Sequence, residues 1–129
     1  MVVVDSSVWI DFFNGKPGRA TDTLRELLPR ERLLVGDLIL CEVLSGFRSE
    51  ADFDAARQLL AALEYADMVG PEVALAAADN YRALRRKGVT ARKMVDVLIA
   101  SFCVLNQHHL LHHDRDFDAM AAHIGLRTL

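Results

Sequence analysis

Four acidic residues stand where ordinary surface acids are not expected. Asp5 and Asp114 follow short apolar runs typical of buried strands, while Glu42 and Asp96 lie within apolar stretches typical of buried helices. An ionised carboxylate among apolar neighbours is costly unless it is paired or binds a metal, and no basic residue is embedded with these four. A shared divalent cation explains the pattern, and ligands that are all oxygen select Mg²⁺ or Mn²⁺. Such a site suits phosphodiester hydrolysis by a metal-activated water.

Three of these acids also have a plainer interpretation. Asp5 and Asp96 stand near predicted helix starts, where the helix dipole stabilises a carboxylate, and Glu42 would reach solvent or pair with an arginine. On this interpretation the chain is a catalytically silent α/β interaction module whose acids act as helix caps. A phosphate-accepting receiver domain is also considered. Such domains usually have paired acids at the first strand and a lysine after a late strand. Here the first strand is followed by DSS and the late strand by HHDRD, so this class is disfavoured.

Short apolar runs alternate with helical patterns along the whole chain, which predicts a parallel α/β sheet with right-handed crossovers. Ser6 or Ser7 is expected to cap the first helix, which continues to Phe13. The predicted strands are 2–4, 33–35, 65–69, 109–111 and 127–129, and the later helices are 21–28, 38–47, 49–63, 71–87, 94–105 and 116–124. Strand ends and the following helix starts share one edge of such a sheet, so all four acids are expected to converge there.

The helix over 38–47 is apolar on nearly every side and is therefore expected to be buried, with Asp37 as its cap. The helix over 94–105 is the most hydrophobic and is expected to be central. Cys41 and Cys103 lie in these two helices, so we expect two buried free thiols, which fits a reducing cytoplasm.

Size and charge bound the function. The chain has 129 residues, which predicts a single domain, and a net charge of −3. This balance argues against a passive nucleic-acid-binding module, which is usually basic. The basic residues are nevertheless unevenly distributed along the chain. One cluster is interpreted either as a solvated helix end or as the flank of an RNA path, and it consists of Arg82, Arg85, Arg86, Lys87, Arg92 and Lys93. No apolar run is long enough to span a bilayer, and the N-terminal run lacks the length and basic flank of a signal peptide.

Four histidines lie in or next to one predicted strand, 109–111, at positions 108, 109, 112 and 113. A zinc site is disfavoured, because adjacent strand residues point to opposite faces and zinc needs convergent ligands. His112, beside Asp114, is instead expected to tune the acidic site or to contact a phosphate.

The acids occur within four longer motifs, VVVDSSVWIDFF, CEVLSGF, MVDVLIAS and HHDRDFD. In this order and spacing the chain resembles the PIN-domain ribonucleases, specifically the VapC toxins of type II toxin–antitoxin systems. The resemblance covers essentially all of residues 1–129. One departure is His112, where the family commonly has threonine two residues before the fourth acid.

The resemblance implies a three-layer α/β/α sandwich with a central parallel sheet. It implies a Mg²⁺- or Mn²⁺-dependent endoribonuclease that cuts RNA, often transfer or ribosomal RNA. It also implies a homodimer, formed through helices around residues 49 to 87, and a VapB-type antitoxin whose tail enters the active-site groove. No membrane association is expected.

By position, the resemblance makes Asp5 and Asp96 the primary metal ligands, with Glu42 and Asp114 completing the catalytic set. Ser7 would help to hold the site. Asp116 is an accessory acid. Five other aspartates are interpreted as surface acids: Asp11, Asp54, Asp67, Asp79 and Asp118.

Overall fold

The structure is a computed structural model that describes every residue from Met1 to Leu129. It contains five strands and seven α-helices that alternate as the sequence predicts. In chain order they are β1 (Val2–Val4), α1 (Ser6–Phe13), α2 (Arg19–Leu27), β2 (Leu33–Gly36), α3 (Asp37–Leu44), α4 (Glu50–Ala61), β3 (Glu64–Ala66), α5 (Gly70–Arg86), α6 (Met94–Leu105), β4 (His109–Leu111), α7 (Arg115–Ile124) and β5 (Arg127–Thr128).

All the strand pairings are parallel, and the strand order is β3-β2-β1-β4-β5. The central strand β1 pairs with β2 on one side and with β4 on the other, with Val3 opposite Leu34 and Leu110. The chain thus runs outward from β1 to β3, crosses back, and continues outward from β4 to β5. The strand order therefore changes direction between the neighbouring strands β1 and β4.

Helices cover the sheet in two groups, as expected for a three-layer α/β/α sandwich. Helix α1 packs against α2 and α3, whereas α5, α6 and α7 pack against one another. The core between these layers is apolar and includes all three valines of β1 together with Val97 and Ile99 of α6. The prediction that α6 is the central helix is confirmed, because most of its residues are buried.

Aromatic packing fixes α1 beneath the sheet edge. Trp9 is almost fully buried, its ring stacks on Phe13 at 5.8 Å, and it meets Phe12 edge-on at 5.9 Å. Phe13 in turn meets Phe47, beyond α3, at 5.8 Å. These contacts orient the start of α1, which carries the first acid.

The helix caps differ in part from the prediction. The N-cap of α1 is Asp5, which accepts from the backbone N–H of Ser7. The expectation that Ser6 or Ser7 would be the cap is therefore wrong, because both already belong to the first turn. Ser49 caps α4 as predicted, accepting from the Asp52 N–H.

The ends of β2 and β3 are joined closely. Asp37 Oδ1 accepts from the backbone N–H of Leu38 at 2.9 Å and from that of Met68 at 3.0 Å. Gly36, which precedes it, faces the Met68 side chain so closely that an added Cβ would lie 2.1 Å from its Cγ and Sδ atoms. Any larger residue here would therefore force the buried Met68 side chain to move.

Helix α3 is less buried than its composition predicts. Only Ile39 and Val43 are buried, Leu40 and Leu44 are half-buried, and Cys41 is exposed. The expectation of two buried thiols holds for Cys103 and is wrong for Cys41. The other apolar side chains of the helix, Leu38, Leu40 and Leu44, are partly buried and pack against the edge of the core. No helix in the structure has both the length and the apolar character needed to cross a membrane.

Candidate active site

The candidate site lies at the carboxyl edge of the sheet, at the reversal point between β1 and β4. Open α/β sheets bind ligands at this position, because the loops that follow the two strands diverge and leave a crevice. The Asp5 N–H donates to the Leu111 carbonyl at 2.9 Å, so β1 and β4 stay paired up to the first acid. Asp5 and Asp114 therefore flank the crevice, one from each strand.

Two serines in the first turn of α1 hold two of the acids. Ser7 donates from its hydroxyl to Asp5 Oδ2 at 2.5 Å, and the Ser7 N–H donates to the same oxygen at 3.3 Å. Ser6 donates from its hydroxyl to Glu42 Oε1 at 3.1 Å, linking α1 to α3. Sequence reasoning singled out Ser7 and missed Ser6. The signal was the Asp-Ser-Ser sequence at a helix start, where successive side chains fan out toward different neighbours.

Asp96, in the first turn of α6, is the acid most strongly affected by its surroundings. Its side chain is 9% exposed and makes no hydrogen bond within the protein. Burial, followed by repulsion from Asp5 and, more weakly, from Asp114 and Glu42, raises the pKa of Asp96 from 3.8 to about 6, against an opposing effect of Lys93. Like charges held close together disfavour ionisation in this way.

The pKa of Glu42 is also raised, mainly by burial. The hydrogen bond from Ser6 opposes the rise, repulsion from Asp5 adds to it, and Lys93 lowers it. The mutual effects among these residues show that acids from β1, α3, α6 and the β4–α7 turn share one electrostatic environment.

The β4–α7 turn brings in two further acids. Asp114 is the N-cap of α7 and accepts from the Asp116 N–H at 2.9 Å. Carboxylate oxygens of Asp96, Asp114 and Asp116 all lie within 4.8 Å of one another, a spacing that suits joint binding of a metal ion. Asp116, treated as an accessory in the sequence, thus lies inside the cluster, whereas Asp5 and Glu42 are not part of this 4.8 Å group and act on Asp96 by charge repulsion.

Two basic residues stand beside the acids, which the sequence interpretation did not anticipate. Arg92 donates two hydrogen bonds to the Asp116 carboxylate, at 3.0 Å from Nε and 3.3 Å from a terminal nitrogen. Lys93 is the N-cap residue of α6 and lowers the pKa of both Asp96 and Glu42. Both side chains are exposed, so they do not contradict the expectation that no basic residue is embedded with the acids, but they bring two cations next to the site. The signal was the position of Lys93 three residues before Asp96, which is one helical turn.

His112 supports the turn from behind. Its side chain is 4% exposed, its Nδ1 accepts from the Asp114 N–H at 3.1 Å, and its ring packs against Phe117 with the centroids 5.1 Å apart. Burial lowers the pKa of His112 despite nearby Asp118 and Asp5. A neutral imidazole that accepts at Nδ1 carries its proton on Nε2.

Of the acids interpreted as surface residues, one has a different position. Asp11 is half-buried, and its Oδ2 lies 3.0 Å from His113 Nε2. Asp118 is exposed but lies 3.6 Å from His112 Nε2. The other three surface acids are exposed and lie away from the cluster: Asp54, Asp67 and Asp79.

The comparisons with known proteins agree with this geometry. A family model described as PIN domain matches residues 2–123, so the fold and the acidic edge define a PIN domain. The chain is 32% identical to the VapC ribonuclease Mb1587 of Mycobacterium bovis over 130 aligned positions, which cover 99% of this chain and 97% of that protein. The chain belongs to the VapC family of PIN-domain proteins.

Solved structures share the fold at low sequence identity. A chain in the crystal structure of VapBC2 from Rickettsia felis bound to a DNA fragment from their promoter superposes with a TM-score of 0.78, at 17% identity, covering 100% of this chain and 98% of that one. VapC20 of Mycobacterium tuberculosis, described as a sarcin–ricin-loop-cleaving toxin, superposes with a TM-score of 0.69 at 17% identity, covering 98% and 99%. These likenesses support the fold throughout the chain.

Proposed function

We propose that this protein is the toxin of a type II toxin–antitoxin system and that it is a divalent-metal-dependent endoribonuclease. The observation that carries the proposal is the position of Asp96 beside three other carboxylates, those of Asp5, Asp114 and Glu42. Burial first, and then repulsion from these acids, raises the pKa of Asp96 to about 6. A fold does not gather buried, mutually repelling acids for stability, and strongly perturbed acids in a crevice are typical of functional sites. Ribonuclease is also the activity named for the relative from Mycobacterium bovis.

The donor set fits Mg²⁺ or Mn²⁺. The candidate ligands are all carboxylate oxygens, and Asp96, Asp114 and Asp116 already lie within joint reach of one ion. Hard divalent cations prefer oxygen ligands, whereas zinc prefers nitrogen and sulfur. Asp5 and Asp96 are the proposed primary ligands, with Glu42 and Asp114 completing the set. The bound cation would act as a Lewis acid and lower the pKa of a water molecule.

The chain's own residues prepare the site for this chemistry. Ser7 and Ser6 fix the carboxylates of Asp5 and Glu42, so that little side-chain freedom is lost when a ligand binds. Lys93 offsets part of the negative charge and lies where a phosphate entering the crevice would meet a cation. Arg92 immobilises Asp116 by its two hydrogen bonds. Pre-organised charges of this kind stabilise a transition state without reorganisation.

The test is cleavage of RNA by purified protein freed of any bound partner. Total cellular RNA would be incubated with Mg²⁺, with Mn²⁺ or with EDTA, beside an Asp96→Asn variant. Asp79→Asn is the matched control, because it makes the same change at an exposed position of α5. We expect discrete cuts with 5′-phosphate ends in the wild type and the control only. Cutting that persists in EDTA or in Asp96→Asn would refute the metal-dependent mechanism.

The alternative is a silent interaction module whose acids are helix caps. Asp5 and Asp114 do cap α1 and α7, but Asp96 accepts no backbone hydrogen bond and capping gives no reason for its burial. If the alternative holds, added Mg²⁺ leaves the melting temperature unchanged. A metal site predicts a rise with Mg²⁺ that disappears in Asp96→Asn, because a ligand that binds only the folded state stabilises it.

We also propose a cognate VapB-type antitoxin as partner. Solved neighbours are themselves named VapBC, and the outer side of α3 leaves Leu40 and Leu44 half-exposed, with Phe12 and Phe13 of α1 nearby. Co-expression with a candidate VapB-type protein, followed by co-purification, tests this partner. Failure to co-purify, together with unrestrained growth inhibition, would refute it.

A homodimer is proposed on similar grounds. Leu75 of α5 is 70% exposed and is the most exposed large apolar side chain in the chain, as expected for a residue covered by a second copy. Light scattering of the wild type and of Leu75→Asp, with Asp79→Asn as control, tests the dimer. We expect a dimer that Leu75→Asp converts to monomer.

The proposed compartment is the cytoplasm, where RNA and a free thiol such as Cys41 coexist.

A further inference from the structure

A polar groove opens directly beside the acidic cluster. It has a volume of about 780 Å³ and lies between the α1–α2 loop and the β4–α7 turn. Only three of its fifteen lining residues are hydrophobic, so it does not suit an apolar ligand. His112 lines the groove and also supports Asp114, and therefore connects the groove with the candidate active site.

The groove contains cations that have no partner in the protein. Lys16 and Arg19 on one wall, and Arg115 on the other, take part in no ion pair. The groove also contains two acids, Asp11 at 3.0 Å from His113 and Asp118 at 3.6 Å from His112, and neither of them pairs with a groove cation. The cations therefore remain available to an anionic ligand.

The N-terminus of α2 points into the same wall. Gly18 is its N-cap and supplies no side-chain acceptor. The Thr21 hydroxyl donates to the carbonyls of Gly18 at 2.9 Å and Lys16 at 3.2 Å, so it does not cap the N–H groups of the first turn. Free N–H groups and the positive end of the helix dipole favour a phosphate at this position.

His112 provides an independent indication of a ligand. Its side chain is 4% exposed, yet its Nε2 makes no hydrogen bond, since the closest acceptor, Asp118 Oδ1, is 3.6 Å away. Because Nδ1 accepts from the Asp114 N–H, Nε2 carries the proton. The only fully buried side-chain polar atom without a partner is Trp9 Nε1. The Nε2–H of His112 is therefore accessible from the groove, where it can donate a hydrogen bond to an anionic ligand.

We propose that this groove binds the single-stranded RNA on one side of the cleavage point, with its phosphates against Lys16, Arg19 and the start of α2. This inference rests on the proposed nuclease function and names the path of its substrate. The volume lies within the 300–1,000 Å³ typical of ligand pockets, which suits a short stretch of one or two nucleotides. The exposed planar side chains of His113 and Arg115 provide faces on which unpaired bases stack. An acidic segment of a protein partner would use the cations but not these flat faces.

RNA binding is measured without cleavage in the Asp96→Asn background. The probe is a fluorescent 20-nucleotide single-stranded RNA of mixed sequence, titrated by anisotropy at several salt concentrations. The groove variant is Lys16→Ala with Arg19→Ala. The matched control is Arg30→Ala with Arg127→Ala, which removes the same charge at the opposite, amino edge of the sheet.

We expect the groove variant to raise the Kd at least tenfold. The slope of log K against log salt should fall by about 1.4, since each single-strand phosphate contact contributes about 0.7. The control should change the Kd less than twofold. In the wild-type background with Mg²⁺, the groove variant should raise KM while kcat is unchanged.

The results separate the two proposals. If groove and control variants weaken binding equally, or if the Asp96→Asn parent does not bind the RNA at 50 mM salt, the groove proposal is overturned even where the wild type cuts RNA. If the groove variant alone weakens binding and the wild type never cuts, the groove stands and the nuclease proposal fails. Unchanged RNA affinity with lost antitoxin binding would assign the groove to an acidic protein segment instead, which also overturns the proposal.

Discussion

Replacing Asp96 with asparagine should make the metal-free protein more stable at pH 8. The pKa of this carboxyl is raised in the folded protein from 3.8 to about 6, first by burial and then by repulsion from Asp5. Above pH 6 the folded state therefore carries an unfavourable charge that the unfolded chain carries at no cost. Asparagine removes this charge and preserves the shape, and no hydrogen bond of the Asp96 side chain is lost.

The expected magnitude follows from the shift. A change from 3.8 to about 6 corresponds to about 3 kcal/mol, at 1.36 kcal/mol per pKa unit. Screening by solvent at the open side of the crevice reduces this to about 1–2 kcal/mol. For a domain of this size that gain corresponds to a rise in Tm of roughly 3–8 °C.

The pH dependence of stability is a second test of whether Asp96→Asn stabilises the protein. Between about pH 4 and pH 6 the folded wild type binds more protons at Asp96 than the unfolded chain, so its stability falls as the pH rises. The advantage of Asp96→Asn should therefore be complete above pH 6 and absent below about pH 4. Urea unfolding in EDTA, followed by circular dichroism across this range, measures it, with Asp79→Asn as the control. A variant that is equally stable or less stable at pH 8, or an advantage that does not depend on pH, would refute the electrostatic account.

Three further changes test other parts of the structure. Gly36→Ala should lower the free energy of unfolding by about 1–3 kcal/mol in urea titrations, because the new methyl group overlaps the Met68 side chain; an unchanged stability would contradict the packing described for β2. Asp37→Ala should cost about 1–3 kcal/mol in the same assay, because it leaves the Met68 N–H without its acceptor, whereas Asp37→Asn should restore part of the loss. Lys93→Gln should raise the pKa of Asp96 further, since the lysine opposes the rise, and carboxyl NMR titration would contradict this reasoning if the midpoint moved down or stayed in place.

Much of the fold was predictable because strand and helix patterns are local. The valines of β1 and the apolar run of α6 are buried as their periodicity predicts. Element boundaries moved by one to three residues. The helix predicted from Thr21 begins at Arg19, and the strand predicted over 65–69 is Glu64–Ala66. These ends are decided by caps and by pairing with neighbouring strands, which a local pattern does not contain.

The surroundings of the acids were less predictable, since they depend on which elements meet. That Lys93 and Arg92 stand beside Asp96 and Asp116 follows from how the α5–α6 loop returns to the sheet edge. The exposure of Cys41 depends on which face of α3 meets the sheet, and an apolar sequence on all sides gives no preference. The groove beside His112 forms between two loops that are far apart in the chain, so no local sequence pattern predicts it.

The pairing of β1 with β4 has a consequence for the timing of synthesis. Val2 pairs with His109, so the central strand waits for its second neighbour while roughly 100 more residues are made, which takes roughly 5–20 s at 5–20 residues per second. For the later part of that interval Asp5 and Glu42 already exist in the chain, but Asp96 and Asp114 do not stand beside them. A nascent chain on the ribosome, surrounded by the RNA that it is proposed to cut, therefore lacks the assembled acidic edge until its last strands have formed.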